Sequence, residues 1–160
     1  MIRRCTNVDV PAIDAIINEA AEAYRGVIPV DCWHEPYMAG SDLLDEITAG
    51  VDFWGSDEAG VLVGVMGLQR VRDVTLIRHA YVRPSHQSRG IGGALLTRLA
   101  SQTAGPLLVG TWAAADWAIR FYERHGFRLV ATEEKDRLLN SYWKISSRQQ
   151  ATSVVLTRGR

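Results

Sequence analysis

The chain has 160 residues, of which 47% are hydrophobic and 22% are charged, a balance typical of a globular protein with one sizeable hydrophobic core. Its 18 basic and 18 acidic residues cancel, which argues against a general surface for nucleic acid or for anionic membranes. The apolar runs are far shorter than a membrane span, and no apolar segment follows the N-terminal arginines to make a signal peptide. We therefore expect one domain over residues 1–160 in the cytoplasm, with Cys5 and Cys32 as free thiols.

The N-terminal half of the chain predicts alternating strands and helices. Capping residues and apolar positions at helical spacing indicate the helices, and Gly26 and Gly50 follow their ends. In chain order, the predicted elements are a strand over residues 2–5, a helix from Thr6 or Asn7 to about Tyr24, an irregular segment over 29–37, a helix over 41–48, and a hairpin of strands 52–56 and 60–70.

The most informative stretch is a predicted strand, a polar loop and a helix start between residues 75 and 99. The strand covers residues 75–82, and residues 87–92, of sequence Gln-Ser-Arg-Gly-Ile-Gly, then open a helix with apolar residues at helical spacing. The first N–H groups of a helix lack partners and carry partial positive charge. Glycines at Gly90 and Gly92 let a ligand approach the main chain closely. The loop therefore predicts a site for a phosphate or pyrophosphate.

This loop differs from the two commonest phosphate-binding motifs. A P-loop requires Lys and then Ser or Thr after its last glycine, where this chain has Gly93 and Ala94. A dinucleotide fingerprint requires G-x-G-x-x-G, whereas this chain has G-x-G-G. A glycine-bearing strand-to-helix turn with no ligand is the alternative interpretation.

A second informative block lies in the C-terminal half. Residues 107–112 form an apolar run after Gly105-Pro106 and predict a buried strand. Residues 116–127 predict an amphipathic helix that Gly126 caps. Short strands over residues 127–131 and 153–157 complete the predicted sheet.

The 21 residues from 132 to 152 are too many for an unstructured connection between two strands. Their apolar residues predict a short helix or a wrapped segment that covers the domain. We expect the basic side chains Lys135, Arg137 and Arg148 to lie at its surface. Closure of a binding pocket is the alternative role for this segment.

Two motifs resemble those of the GNAT superfamily of N-acetyltransferases. The first is Q-x-x-G-x-G after a strand, at residues 87–92, and the second is A-I-x-x-Y-E-x-x-G-F, at residues 118–127. The resemblance implies a GNAT fold, an α/β (α+β) architecture with a mixed central sheet and helices on both faces. It also implies acetyl-CoA as co-substrate, bound by Ala80, Tyr81, Val82, Gln87, Ser88, Arg89, Gly90, Ile91, Gly92 and Gly93.

Transfer of an acyl group from a thioester to an amine needs a neutral amine and a proton donor for the departing thiolate. Tyr122 matches the tyrosine of the family, so the resemblance implies that it is the catalytic acid. A phenol with an ordinary pKa of about 10 can fill this role. A core tyrosine with a satisfied hydroxyl is the alternative.

The general base is less defined, because the chain departs from the family at two positions. Counting back from Tyr122 places the family's glutamate near Gly110 and its asparagine at Ala115. The candidate substitutes are His79 and, in the irregular segment, His34 and Glu35, of which we favour Glu35 or His79. A buried and satisfied side chain is the alternative for His79. Strand alternation predicts Leu76, Arg78, Ala80 and Val82 on one face, with Ile77, His79 and Tyr81 on the other.

The resemblance places the irregular segment over the acceptor, expected to be a primary amine of a small molecule or a peptide. The polar aromatic groups and the proline of residues 33–37 favour a shaped recognition loop. The expected acceptor-binding residues are Trp33, His34, Arg78 and Trp112, with core packing as the alternative for Trp112. Arg78 suits an acceptor carboxylate. No metal is expected, and a homodimer is the assembly that a long sheet edge favours.

Direct attack in a ternary complex is the expected mechanism, because neither cysteine lies in a motif for a covalent acyl-enzyme. The absent glutamate and asparagine motivate one alternative, a GNAT-like module that binds an acyl-CoA without efficient turnover. An unrelated nucleotide-binding α/β domain is a third interpretation, which leaves the Tyr122 motif unexplained.

Overall fold

Seven strands and six α-helices form the secondary structure of residues 1–159, the part of the chain that the computed structural model describes. The strands are β1 (Ile2–Arg4), β2 (Asp52–Glu58), β3 (Val61–Val71), β4 (Val74–Val82), β5 (Leu107–Trp112), β6 (Arg128–Leu129) and β7 (Ser153–Arg158). The helices are α1 (Val10–Ala20), α2 (Gly40–Thr48), α3 (Ile91–Ser101), α4 (Asp116–Arg124), α5 (Thr132–Tyr142) and α6 (Ser147–Ala151). Short 3-10 turns cover Asn7–Asp9, Ala21–Tyr24, Val30–Cys32 and Pro84–His86.

The strands pair into one sheet in the order β1-β2-β3-β4-β5-β7-β6. The β4–β5 pair is parallel, and the other neighbouring pairs are antiparallel. Helices α1, α2 and α5 pack on one side of the sheet, which we call face A. Helices α3 and α4 pack on the other side, face B. The predicted α/β architecture, a mixed sheet with helices on both faces, is confirmed.

Helix α3 illustrates how the sequence determines the packing. Leu95, Leu96 and Leu99 recur at helical spacing and are all but completely buried. They belong to the same core as Met66 and Ile77 on face B of the sheet. Burial of this apolar stripe anchors the helix, so that its amino end lies beside the end of β4.

Strands β4 and β5 separate halfway along their length. Their pairing runs from Thr75–Leu107 to Ile77–Val109, although β4 continues to Val82 and β5 continues to Trp112. The two unpaired halves leave an opening in the middle of the sheet that is reached from both faces. We call it the β4–β5 opening.

A β-bulge at His79 changes the direction of the side chains along β4. His79 has a φ of 55°, and the β3–β4 register shifts there. As a result, Arg78 and His79 both contact Glu46 on face A, whereas Ala80 packs in the face B core. The predicted alternation, which put Ala80 and Val82 on the face of Arg78, is therefore wrong beyond Arg78. The extra residue of the bulge moves each following side chain to the opposite face of the sheet.

The connection between β6 and β7 is mostly helical rather than a wrapped loop. Leu138 and Leu139 of α5 are buried in the face A core. Lys135 is 8% exposed, and its Nζ donates a hydrogen bond to the Gln150 carbonyl at 3.1 Å. The predicted surface position of Lys135 is therefore wrong, because its amine finds a partner on α6. Residues 142, 144–146, 148 and 149 border a cavity described below, so the segment both covers the core and shapes a pocket.

Both cysteines are free thiols, as expected. Burial, with a further contribution from Asp9, raises the pKa of the Cys5 thiol to about 11, so this thiol is protonated at neutral pH and is a poor nucleophile. Within residues 1–159, no helix is both long and apolar enough to cross a bilayer.

One buried hydroxyl provides a test of the packing. Thr157 on β7 is 1% exposed, and its Oγ1 has no hydrogen-bond partner among the described residues. We expect Thr157→Val, which replaces the hydroxyl by a methyl group of similar size, to raise the free energy of unfolding by about 1 kcal/mol. Ser153→Ala is the matched control, because the Ser153 hydroxyl donates to the Gln149 carbonyl and its loss should lower stability. Denaturant unfolding measures both changes, and a destabilised Thr157→Val would contradict the assignment.

Candidate active site

A cavity of about 620 Å³, which we call the loop cavity, opens beside the amino end of α3. Helix α4 forms its opposite wall with Trp117, Phe121, Tyr122 and His125. Of the ten residues predicted to bind acetyl-CoA, nine line this cavity and Arg89 does not. The nine are Ala80, Tyr81, Val82, Gln87, Ser88, Gly90, Ile91, Gly92 and Gly93.

The loop before α3 presents unpaired main-chain N–H groups to the loop cavity. Gly90 caps the helix with a φ of 78°, a left-handed conformation that glycine adopts without strain. The first bond inside the helix runs from the Ala94 N–H to the Gly90 carbonyl at 3.0 Å, so the N–H groups of residues 91–93 have no helical partner. The Gln87 amide donates to the Val82 carbonyl at 3.1 Å and ties the loop to β4. This end of the helix is suited to an anion.

Tyr122 lies on the α4 wall of the loop cavity and is 5% exposed. Its ring packs against the rings of Phe121 and Phe127, with centroid distances of 5.1 and 5.4 Å. Burial, with a smaller contribution from Tyr24, raises the pKa of Tyr122 above its ordinary value. The hydroxyl therefore carries its proton at neutral pH and is a proton donor rather than a base.

A second cavity, of about 800 Å³, lies on face A between α2 and the segment that follows α5. We call it the groove. Strands β4 and β5 contribute Arg78, His79 and Trp112 to its lining, and the segment between α1 and α2 contributes His34 and Tyr37. The groove therefore reaches the sheet at the β4–β5 opening from the side opposite to α3 and α4.

Glu46 of α2 joins His79 and Arg78 into one network in the groove. Nε2 of His79 lies 2.9 Å from Oε1 and 2.8 Å from Oε2 of Glu46. Arg78 donates to Glu46 as well, and it donates to Oε1 of Gln69 at 2.8 Å. Burial alone would raise the pKa of Glu46, but the hydrogen bonds and charges of His79 and Arg78 hold it below its usual range. The Arg78 guanidinium, predicted to hold an acceptor carboxylate, is thus already paired within the protein.

Trp33 and Glu35 form a surface cluster outside both cavities. Glu35 pairs with Arg25 at 2.7 Å, and Nε1 of Trp33 donates to Oε2 of Glu35 at 3.1 Å. The Arg25 guanidinium lies 4.7 Å from the centre of the Trp33 ring, in a cation–π contact. The structure therefore brings Trp112, Arg78, His79 and His34 into the lining of the groove, whereas Trp33 and Glu35 line neither cavity.

Aromatic side chains that line the two cavities contact one another near the β4–β5 opening. Tyr24 and Tyr81 line the loop cavity, whereas Tyr37 and Trp112 line the groove. The ring centroid of Tyr24 lies 5.3 Å from that of Tyr37 and 6.3 Å from that of Tyr81. Nε1 of Trp112 donates to the Tyr37 hydroxyl at 2.7 Å. Burial, with the neighbouring Tyr24, raises the pKa of Tyr37 to about 12, so the Tyr37 hydroxyl is uncharged at neutral pH.

The two positions at which the chain departs from the GNAT motifs differ in burial, since Gly110 is exposed and Ala115 is buried. A Cβ atom at Gly110 would lie 3.5 Å from the indole ring of Trp143, which is an ordinary contact distance. Ala115 is buried at the start of α4. Neither position carries a carboxylate.

Four residues that sequence reasoning did not assign contribute to the site: Tyr24, Glu46, Trp117 and His125. Trp117 and His125 are four residues before and after Phe121, so helical spacing from the Tyr122 motif was a signal that could have found them. Glu46 lies 33 residues from His79 in sequence. No local pattern links such a pair.

The comparisons with known proteins agree with this arrangement. A model of the acetyltransferase (GNAT) domain matches residues 49–129. A similar curated protein is the peptidyl-lysine N-acetyltransferase YiaC of Escherichia coli (strain K12). It is 25% identical over 146 residues, which are 91% of this chain and 95% of the relative.

Two solved structures resemble the fold over nearly its whole length. The PaiA N-acetyltransferase from Thermoplasma acidophilum, in complex with coenzyme A, has a TM-score of 0.74 at 16% identity and covers 100% of this chain and 98% of its own. The ribosomal-protein-S18-alanine N-acetyltransferase from Escherichia coli has a TM-score of 0.70 at 17% identity, covering 99% of this chain and 92% of its own.

Proposed function

This chain belongs to the acetyltransferase (GNAT) family, and we propose that it transfers the acetyl group of acetyl-CoA to a primary amine of a small molecule or a peptide. One observation carries the proposal: the loop cavity and the groove both border the β4–β5 opening. A thioester in the first cavity and an amine in the second can meet there. This geometry supports direct attack within a ternary complex.

The loop cavity has the chemistry that acetyl-CoA requires. We propose that the pyrophosphate accepts hydrogen bonds from the main chain of residues 89–93, where the helix start leaves N–H groups unpaired. The pantetheine arm would then run along residues 80–82, whose main chain on the β5 side is free of β5 beyond Ile77. Pairing of this kind gives affinity without demanding particular side chains.

We assign the proton transfers to Tyr122 and His79. His79 lines the groove, whereas the other candidate base, Glu35, is held in an exposed ion pair outside both cavities. In the proposed reaction the neutral amine nitrogen bonds to the thioester carbonyl carbon, His79 takes the proton that this nitrogen loses, and the carbon–sulfur bond breaks. Tyr122 then protonates the departing thiolate. The products are an N-acetylated amine and CoA.

The names of the similar proteins support an amine acceptor. The curated relative is described as acting on peptidyl-lysine, and one structural neighbour on an alanine of a ribosomal protein. These names place a lysine side chain and a peptide N-terminus first among the acceptors to examine. Small amines, such as amino acids, polyamines and aminoglycosides, complete the set.

A thiol-release screen tests the proposed function. The purified chain is incubated with acetyl-CoA and each amine, and the free CoA thiol is measured with a thiol reagent. We expect thiol release above the acetyl-CoA background with at least one primary amine, together with an acetylated product. Release of the CoA thiol at the same rate with every amine as in the absence of amine would contradict the proposal.

A second candidate function is an acyl-CoA-binding module with little or no turnover. It is favoured by one observation, the glycine at position 110, which supplies no carboxylate where many relatives carry one. The two functions differ in a simple way: the module binds CoA in preference to ATP at equal concentration but releases no thiol with any amine.

The loop at the start of α3 gives a sharp test of the CoA site. We expect Gly92→Val to weaken CoA binding by about tenfold or more, because its side chain occupies space where the pyrophosphate approaches the main chain. A Cβ at this position would lie 3.4 Å from the Phe121 ring, so the fold has room for it. Isothermal titration with CoA measures the effect.

The matched control for this test is Gly60→Val in the β2–β3 turn. Gly60 has a φ of 86° and open space around it, so the variant carries backbone strain in a loop remote from the site. Gly90→Val, at a φ of 78°, should combine backbone strain with steric exclusion of the pyrophosphate. Unchanged CoA affinity in a folded Gly92→Val would reject the assignment of the loop.

A further inference from the structure

The two ring nitrogens of His79 have different roles. Nε2 faces both carboxylate oxygens of Glu46, at 2.9 and 2.8 Å. A carboxylate can only accept hydrogen bonds, so Nε2 must carry a hydrogen atom. In the neutral imidazole the other nitrogen, Nδ1, is therefore the one that can accept a proton. The ring also stacks on Phe53, at a centroid distance of 6.2 Å and an interplanar angle of 24°, and this contact fixes its plane.

The bulge in β4 is what allows Glu46 to reach His79. In a regular strand Arg78 and His79 would point to opposite faces, but at the bulge both side chains turn toward α2 and contact Glu46. The side chains of Glu46, Arg78 and His79 are 22%, 23% and 18% exposed. Partial exclusion of water strengthens the interactions of these charges relative to an exposed pair.

We propose that Glu46 is a positioning residue for acetyl transfer, which holds His79 in the tautomer with Nδ1 free to take the proton of the acceptor amine. This inference rests on the proposed function, in which His79 is the base. The negative charge of Glu46 also stabilises the positive charge that the imidazole gains when it accepts the proton. Neither a sequence motif nor the resemblance to GNAT proteins pointed to this residue.

Other charged and polar groups surround the Glu46–His79 pair. Arg78, on the same strand, donates to Glu46 and keeps it ionised. Gln69 on β3 accepts a hydrogen bond from Nη1 of Arg78, whereas Nη2 of Arg78 donates to Glu46. The remaining titratable groups that line the groove are Asp31, Cys32, His34, Tyr37, Asp42, Asp45, Tyr142, Lys144 and Arg148, of which Asp31 and Arg148 pair with each other at 2.8 Å.

The test is the pH dependence of kcat/KM for Glu46→Gln and Glu46→Asp, measured with the best acceptor from the thiol-release screen. Glutamine can still accept the Nε2 hydrogen but has no charge. We expect Glu46→Gln to lower kcat by about 10- to 100-fold. We also expect its acidic limb to move to lower pH by about one unit, because loss of a nearby negative charge disfavours the protonated imidazole. Glu46→Asp, which keeps the charge, should hold the limb near its wild-type position.

Two further readouts separate positioning from a structural role. The KM for acetyl-CoA should be unchanged in Glu46→Gln, because Glu46 lies outside the loop cavity. The pH midpoint of the His79 ring resonances, followed by NMR in the protein without substrates, should fall together with the kinetic limb. Asp52→Asn is the control, because it removes an exposed carboxylate paired with Arg4 at the sheet edge and should change neither readout.

The outcomes distinguish this inference from the proposed function. An active Glu46→Gln with the wild-type kcat and an unmoved acidic limb would overturn the role of Glu46 while leaving acetyl transfer intact. A wild-type chain that acetylates no amine would overturn the proposed function and this role with it. The NMR midpoints would then still report whether Glu46 and His79 are coupled.

Discussion

Tyr122→Phe is expected to lower kcat by about 10²- to 10⁴-fold, the usual contribution of a general acid, while the affinity for CoA stays nearly unchanged. Phenylalanine keeps the ring and its contacts with Phe121 and Phe127, so the substitution isolates the hydroxyl. Burial raises the pKa of Tyr122, and the hydroxyl therefore holds a proton for the thiolate at the pH of the reaction.

Steady-state kinetics with the true acceptor measure this effect. CoA titration and the midpoint of thermal unfolding are the controls, since a change in either would indicate a packing defect. If Tyr122→Phe retains the full kcat, the proton comes from another group or from water, and the assignment of Tyr122 as the acid fails.

His79→Gln is the second change with a large expected effect, a loss of about 10²-fold or more in kcat/KM near neutral pH. Glutamine is close to histidine in size and can still hydrogen-bond to Glu46, but it cannot take a proton from the amine. The variant should therefore also lose the acidic limb of the pH profile, below which the wild-type imidazole is protonated and inactive as a base.

Glu35→Gln is the matched control for His79→Gln. Glu35 was the other base candidate, and its carboxylate is engaged by Arg25 on the outer surface. We expect its pH profile to overlay that of the wild type. If the wild type, His79→Gln and Glu35→Gln share the same acidic limb of the pH profile, neither His79 nor Glu35 is the base. The amine then arrives already neutral.

Helices α3 and α4, which line the loop cavity, were predictable because the residues that indicate each helix lie close together in the sequence. Helix α3 follows from Gly90 and the leucine spacing behind it, and the α4 wall follows from the spacing around Tyr122. Both motifs combine a fixed backbone conformation with an apolar stripe. Such features need no information from distant parts of the chain.

The acceptor side was less predictable because it depends on contacts between distant residues. The bulge at His79 cannot be read from the sequence of β4, because a histidine in a strand does not by itself indicate a positive φ. Glu46 and His79 meet only after α2 has packed on the sheet. Trp33 and Glu35 both contact Arg25 and line neither cavity, and these contacts cannot be read from the composition of the segment.

Transfer of the acetyl group itself is the most direct test of the whole account. The chain is incubated with acetyl-CoA and the best acceptor, and both the acceptor and the intact protein are analysed by mass spectrometry as free thiol is counted. We predict one acetyl group on the acceptor nitrogen for each CoA released, and none on Cys5 or Cys32. An acetylated cysteine would contradict direct attack, and CoA binding without transfer to any amine would contradict the proposed enzyme.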